Sequence, residues 1–214
     1  MMRTAFASIA LTLLLTNAQA QVVVEPAALT LRLAKCEVTC LALAPKGDRI
    51  LIGTDKGAEL WEIQSAKKVQ TFVYNEDGSS TVYHAAFNEN GEYVVLIGHS
   101  GKRVVGDVKN GKMDRVLNTY TWLPDPRAVK AMGFDMKNST FDRFYQQLQA
   151  KHGDITARSG AKGTVEFSDA TGQVVQTLTF PENKDQHHKA PCLFMDGQFV
   201  TGTDDGRVLF YTLK

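Results

Sequence analysis

The sequence is poor in the residues that mark most kinds of site chemistry. Its 214 residues include 3 Cys and 5 His, with no Cys-x-x-Cys pair, no Gly-x-Ser-x-Gly elbow and no phosphate-cradling glycine loop. Dithiol redox catalysis, a strand-to-helix serine nucleophile and a nucleotide loop are therefore unsupported. Charge of one sign is also missing: 24 Lys+Arg face 23 Asp+Glu, a net +1. A nucleic-acid binder normally carries a basic surplus, so no nucleic-acid partner is expected. Beyond the N-terminal segment no apolar run approaches the ~20 residues that span a bilayer, so no membrane insertion is expected. The remainder is ordinary for a globular chain: 43% hydrophobic residues, 9% aromatics, 17 Gly and 6 Pro. That is enough apolar material for one domain with a real core.

The N-terminus reads as a targeting segment. Arg3 supplies a positive start, Ala5 to Leu15 is a short apolar run, and Ala18-Gln19-Ala20 gives the small-x-small pattern of a signal-peptidase site. Residues 1–20 are expected to be a signal peptide, cleaved after Ala20. A periplasmic or secreted location is the expectation that follows.

The rest of the chain repeats itself, and repeats bear on fold before any motif does. Glycines pair as Gly47/Gly57, Gly91/Gly101, Gly153/Gly163 and Gly197/Gly206, with separations of 10, 10, 10 and 9 residues. Between the members of each pair lies a stretch of strand-forming residues, such as Arg49-Ile50-Leu51-Ile52 or Tyr93-Val94-Val95-Leu96-Ile97. An apolar strand precedes each pair, including Val129 to Phe134 in the third unit, and an alternating one follows it. A tight turn such as Asn110-Gly111 or Thr171-Gly172 then leads to a fourth strand in the first three units. Four antiparallel strands recurring at about 44 residues describe a propeller blade. The units fall at about 36–74, 81–119, 128–180 and 188–214. The last stops after three strands. Ala28-Leu29-Thr30-Leu31-Arg32-Leu33 alternates apolar and polar and is expected to supply its fourth strand, within 28–35, pairing with Gly206–Lys214. That pairing would close a ring and remove an exposed edge.

The first unit, from Val38-Thr39-Cys40 through Asp55-Lys56-Gly57 to Leu60-Trp61-Glu62, resembles a WD40 repeat, as does Asp196-Gly197 through Asp205-Gly206 to Phe210. The second and third units resemble it loosely. The resemblance implies an all-β protein: a small β-propeller of four four-stranded blades, acting as a rigid interaction platform, usually without catalysis. The chain departs from the family in lacking its Gly-His start, and the terminal Trp-Asp occurs only as Trp61-Glu62. Apolar packing between blades is then the expected main stabiliser. Because four blades are few, a monomer closed by the N-terminal strand is expected, with a homodimer of eight blades as the alternative.

Residues 138–153 read as one short inserted helix. Ser139 suits the N-cap, Phe141, Phe144, Tyr145 and Leu148 fall on one face, and Gly153 suits the C-terminal cap. The linker Tyr120-Thr121-Trp122-Leu123-Pro124-Asp125-Pro126 carries aromatics on an extended loop. Tyr120, Trp122, Phe141, Phe144 and Tyr145 are therefore the candidate contacts for an unknown protein partner. Against that stand the plainer readings, in which the helix covers one end of the ring and Trp122 tucks between blades.

Catalytic residues are not expected. Asp55 and Asp204-Asp205 recur at turns, where an acid before Gly stabilises the turn itself. Asp185-Gln186-His187-His188 is a poor metal site, because neighbours in an extended chain point apart and zinc needs three or four convergent ligands. No metal and no cofactor are assigned. Cys36, Cys40 and Cys192 are an odd set in an oxidising compartment. Repeat alignment puts Cys40 opposite Ala190, two residues from Cys192, so a Cys40–Cys192 disulfide is expected, with Cys36–Cys40 as the local alternative. The functional expectation is an exported, non-enzymatic scaffold. A small-ligand sensor using the ring's central pocket is the alternative, and a propeller-based enzyme comes third.

Overall fold

The computed structural model describes residues 21–75, 78–98, 102–113 and 147–214. Among them every extended element is paired antiparallel, and the only helical element is a 3-10 turn at Ala161–Gly163. In chain order the strands are β1 (Leu29–Arg32), β2 (Val38–Leu43), β3 (Arg49–Thr54), β4 (Gly57–Glu62), β5 (Lys67–Phe72), β6 (His84–Phe87), β7 (Tyr93–Ile97) and β8 (Arg103–Asp107). There follow β9 (Gln149–His152), β10 (Ile155–Ser159), β11 (Val165–Ser168), β12 (Val174–Leu178), β13 (Cys192–Met195), β14 (Gln198–Gly202) and β15 (Arg207–Thr212). They form sheet I (β2-β3-β4-β5), three-stranded sheet II (β6-β7-β8), sheet III (β12-β11-β10-β9) and sheet IV (β1-β15-β14-β13). Four antiparallel sheets of three or four strands fit an all-β, propeller-like fold.

The turns explain the glycine spacing. Gly57 lies between β3 and β4 at φ +109, and a Cβ there would come within 2.7 Å of the Phe72 carbonyl oxygen. Gly206 occupies the same place in sheet IV at φ +86, 2.8 Å from the Ala34 carbonyl oxygen. Only glycine tolerates both the left-handed backbone and so close an approach.

Packing follows from strand alternation, which sends successive side chains to opposite faces. Cys40, Leu51, Ala58, Leu60 and Phe72 of sheet I meet Ala85, Val94, Leu96 and Val104 of sheet II in one buried cluster. The other face of sheet I, with Val38, Leu41, Ile50, Ile52 and Trp61, meets Leu31, Val200, Val208 and Phe210 of sheet IV. The far face of sheet IV, with Cys192, Phe199, Leu209 and Tyr211, meets Ala157, Val165, Phe167 and Leu178 of sheet III. Each large side chain buried this way contributes about 1.5–3 kcal/mol. The sheets thus follow one another as II–I–IV–III. A closed ring would need a fourth junction, between sheets II and III; among the described residues no apolar cluster joins them.

The N-terminal segment binds the two ends of the described chain together. β1 pairs antiparallel with β15, with Leu29 opposite Phe210 and Arg32 opposite Arg207. Val23 bridges Leu213 and is fully buried. Gln176 on β12 accepts hydrogen bonds from the Val22 and Val23 amides at 2.7 and 2.9 Å and donates to the Val23 carbonyl at 3.1 Å. The same segment therefore edges sheet IV and ties it to sheet III.

The third unit differs from the sequence reading. Residues 149–152, taken as the end of a helix, form strand β9, paired with β10 from His152 opposite Ile155 to Gln149 opposite Arg158. The local pattern carries both periods. Leu148 completes a helical stripe, while Gln149, Ala150 and Lys151 alternate outward, inward and outward, and short runs do not separate the two. Gly153, at φ +57, turns a hairpin rather than capping a helix. β9 thus takes the place in sheet III that the sequence reading gave to Val129 to Phe134. That segment, residues 1–20, Gly101 and residues 114–146 in general, which would hold the second unit's fourth strand, lie outside the described residues.

Candidate functional site

Sheets I and IV spend both faces on packing. Sheet III does not. Its inward face is Ala157, Val165 and Phe167, and its outward face is polar. Cross-strand pairing aligns that outward face into two rows. One row runs Gln149, Arg158, Glu166, Thr177; the other runs Lys151, Thr156, Ser168, Val174. The register shifts between Phe167 and Ser168, a bulge of the kind that re-aims side chains. With Asp154 of the β9–β10 turn and Asp169, Ala170 and Gly172 of the β11–β12 turn, all of these but Thr177 line an open cleft of about 410 Å3.

Charge is unevenly spread across the cleft. Lys151 and Arg158 stand on β9 and β10, with Asp154 on the turn between those strands; Glu166 stands on β11 and Asp169 just after it. Directly opposed Arg158 and Glu166 do not pair; instead the Arg158 guanidinium donates to Gln149 Oε1 at 3.1 Å. Asp169 is fixed by its turn: the Thr171 hydroxyl donates at 2.6 Å, and the Thr171 and Gln173 amides at 2.9 and 3.0 Å. The Thr171 hydroxyl, with those amides, holds its carboxyl below the usual carboxylate range.

The candidate contacts Tyr120, Trp122, Phe141, Phe144 and Tyr145 lie outside the described residues. The turn acids lie within them and act structurally. Asp55 accepts the Glu37 amide at 2.9 Å, and Asp204 accepts the Lys184 and Asp185 amides at 3.0 and 2.8 Å. Asp205 accepts from the Thr203 hydroxyl and from Arg207 Nε at 2.5 and 2.8 Å. Burial alone would raise the Asp205 carboxyl, but the hydrogen bonds from Arg207 and Thr203 outweigh it and hold it low. Among the described residues no three His, Cys, Asp or Glu converge as a metal site would require. No helix there is long and apolar enough to cross a membrane.

His188 was missed as a structural residue. It is fully buried, with Nδ1 3.0 Å from Glu37 Oε1 and Nε2 3.2 Å from the Gly202 carbonyl oxygen. Both ring nitrogens face oxygen acceptors. The ring anchors the approach to sheet IV against the residue just ahead of sheet I. The available signal was its position, four residues ahead of β13.

The cysteines are all free and buried. Cys40 and Cys192 sit on neighbouring sheets but not on facing sides. Cys40 points toward sheet II and Cys192 toward sheet III, so the sheet I–sheet IV junction lies between them and the expected bridge is absent. The Cys36–Cys40 alternative is absent too. Burial pushes the Cys36 thiol up to about 11 and those of Cys40 and Cys192 up to about 12.

No family model matches the chain. No curated protein matches it either. Among solved structures, it is similar to one titled "Structure of U3-55K", at 14% identity and a TM-score of 0.38, over 84% of this chain and 54% of that one. The chain thus spans about half the length of that structure.

Proposed function

We propose that this is an exported, non-enzymatic, WD40-like propeller of four blades, the last completed by the N-terminal strand, that serves as a protein-interaction scaffold in the periplasm or outside the cell. The observation that carries the reading is the division of labour among faces. Sheets I and IV bury both sides against their neighbours, and sheet II buries Val95, Ile97 and Val105 as well, which among the described residues leaves turns and the outward face of sheet III to meet other molecules. A rigid framework that presents polar turns suits docking, because little order has to be gained on binding. The linker at 120–126 and the aromatic residues at 141–145 belong to the proposed contact surface together with that face.

The test is affinity purification of the tagged protein from the exporting cell, with cross-linking and mass spectrometry. A defined partner is expected, lost on Trp122→Ala or Tyr145→Ala while circular dichroism is unchanged. Recovery of no partner, alongside saturable binding of a defined metabolite, would replace the scaffold with the sensor.

A further inference from the structure

The charge placement of the sheet III cleft points to the partner it takes. We infer that this face binds an extended peptide segment that carries an acidic and a basic side chain two positions apart. The inference rests on the scaffold reading and adds the partner's chemistry to it.

Three observations carry it. First, the face lies open: Gln149, Lys151, Arg158, Glu166 and Val174 are exposed, while the opposite face of the same strands is closed by Phe167 and Val165. Second, its charges are not satisfied among themselves. Among the described residues neither Lys151 nor Glu166 takes part in an ion pair, and Arg158 reaches only Gln149. Oppositely charged residues directly across a strand pair normally gain by meeting. Third, the charges are unevenly placed: both bases stand on β9 and β10, and of the three acids only Asp154 shares their hairpin, at its turn, while Glu166 and Asp169 stand on and after β11.

This placement sets a length. The midpoint of the basic pair lies between β9 and β10, one and a half strand spacings across and one residue along from Glu166, or about 8 Å. In an extended peptide, side chains two apart leave the same side of the backbone and are separated by about 7 Å. An acid of such a segment faces Lys151 and Arg158 while its base faces Glu166. The hydroxyls of Thr156 and Ser168, in the adjacent row, line the same cleft and can bond the peptide backbone. A segment of a single charge sign meets repulsion at one wall, which is how such a surface rejects wrong partners.

The experiment is a titration of isotope-labelled protein with acetyl-Gly-Asp-Ala-Lys-Gly-amide, followed by amide NMR shifts. Saturable shifts confined to residues 149–174 are expected, weakened about tenfold or more by Arg158→Glu and by Glu166→Lys, and lost at high salt. Both substitutions are on the exposed face, and circular dichroism confirms their folding. Peptides with Asn for Asp or Gln for Lys are expected to bind weakly. Absence of shifts in 149–174, indifference to both substitutions, or equal binding of the singly charged peptides overturns the inference. The two readings fail separately. A co-purified partner that survives Arg158→Glu and Glu166→Lys sinks the cleft but leaves the scaffold; peptide binding without any recoverable partner does the reverse.

Discussion

Replacing Phe167 by alanine probes whether the junctions between sheets make one cooperative body. Phe167, on sheet III, is fully buried and meets Phe199 of sheet IV edge-on, with centroids 4.9 Å apart and planes at 76°. Phe199 in turn contacts Phe194 at 5.1 Å, so the change removes the head of an aromatic chain crossing the junction. A buried Phe→Ala change costs about 3–5 kcal/mol. The Phe167–Phe199 contact accounts for about 0.5–1.5 kcal/mol of coupling in a double-mutant cycle with Phe199→Ala. Against a total stability of about 5–15 kcal/mol this is a large loss. At about 2–4 °C per kcal/mol for a chain of this size, Tm should fall by about 6–20 °C. The assay is urea unfolding in a Trp122→Phe background, read by circular dichroism and by the fluorescence of Trp61. Trp61 lies in the sheet I–sheet IV cluster, one junction away from the change. Both probes are expected to shift together. A Trp61 transition that stays in place while the ellipticity transition moves would refute the cooperative stack, as would a cost below about 1 kcal/mol.

Gly57→Ala should destabilise by about 1–3 kcal/mol in the same assay, since it combines a left-handed backbone with a Cβ driven at the Phe72 carbonyl; a neutral result would contradict the turn geometry. His188→Gln should cost about 1–3 kcal/mol, and a cycle with Glu37→Gln should show non-additivity, because the two side chains share one bond. The thiols of Cys36, Cys40 and Cys192 should react with an aromatic disulfide reagent at pH 8 only after denaturant is added, three equivalents in all; rapid native labelling would show that they are not buried. The same thiols make stability fall at alkaline pH. Their folded values, about 11 to 12, exceed the unfolded 9.0, so their contribution is complete below pH 9 and is lost as pH rises toward 12, which denaturation at stepped pH would trace.

Legibility varied with how local each signal was. The strand-bounding glycines could be read directly, because left-handed turns such as those at Gly57 and Gly206 leave few other residues eligible. The alternation at 28–33 marks β1, and its pairing with β15 answers the edge that a three-stranded last unit would leave. Residues 147–153 were harder, since four-residue β9 offers too few positions to tell a strand from a helix end. The cysteine pairing failed for a geometric reason: repeat alignment says that two residues occupy the same side of equivalent strands, and in a stack that places them on opposite sides of the shared junction. The cleft was the least visible feature. Lys151, Arg158 and Glu166 are scattered charges in the chain and come to share one exposed face only when the hairpins set their register.

Pairing β1 with β15 also constrains when folding can finish. Leu29 waits for Phe210, so the contact that completes sheet IV spans nearly the whole described chain, and contacts so remote in sequence slow folding. During synthesis Leu31 and Val23 have no strand partners until the residues around Val208 and Leu213 emerge. A chain halted early would carry an orphaned, aggregation-prone first strand.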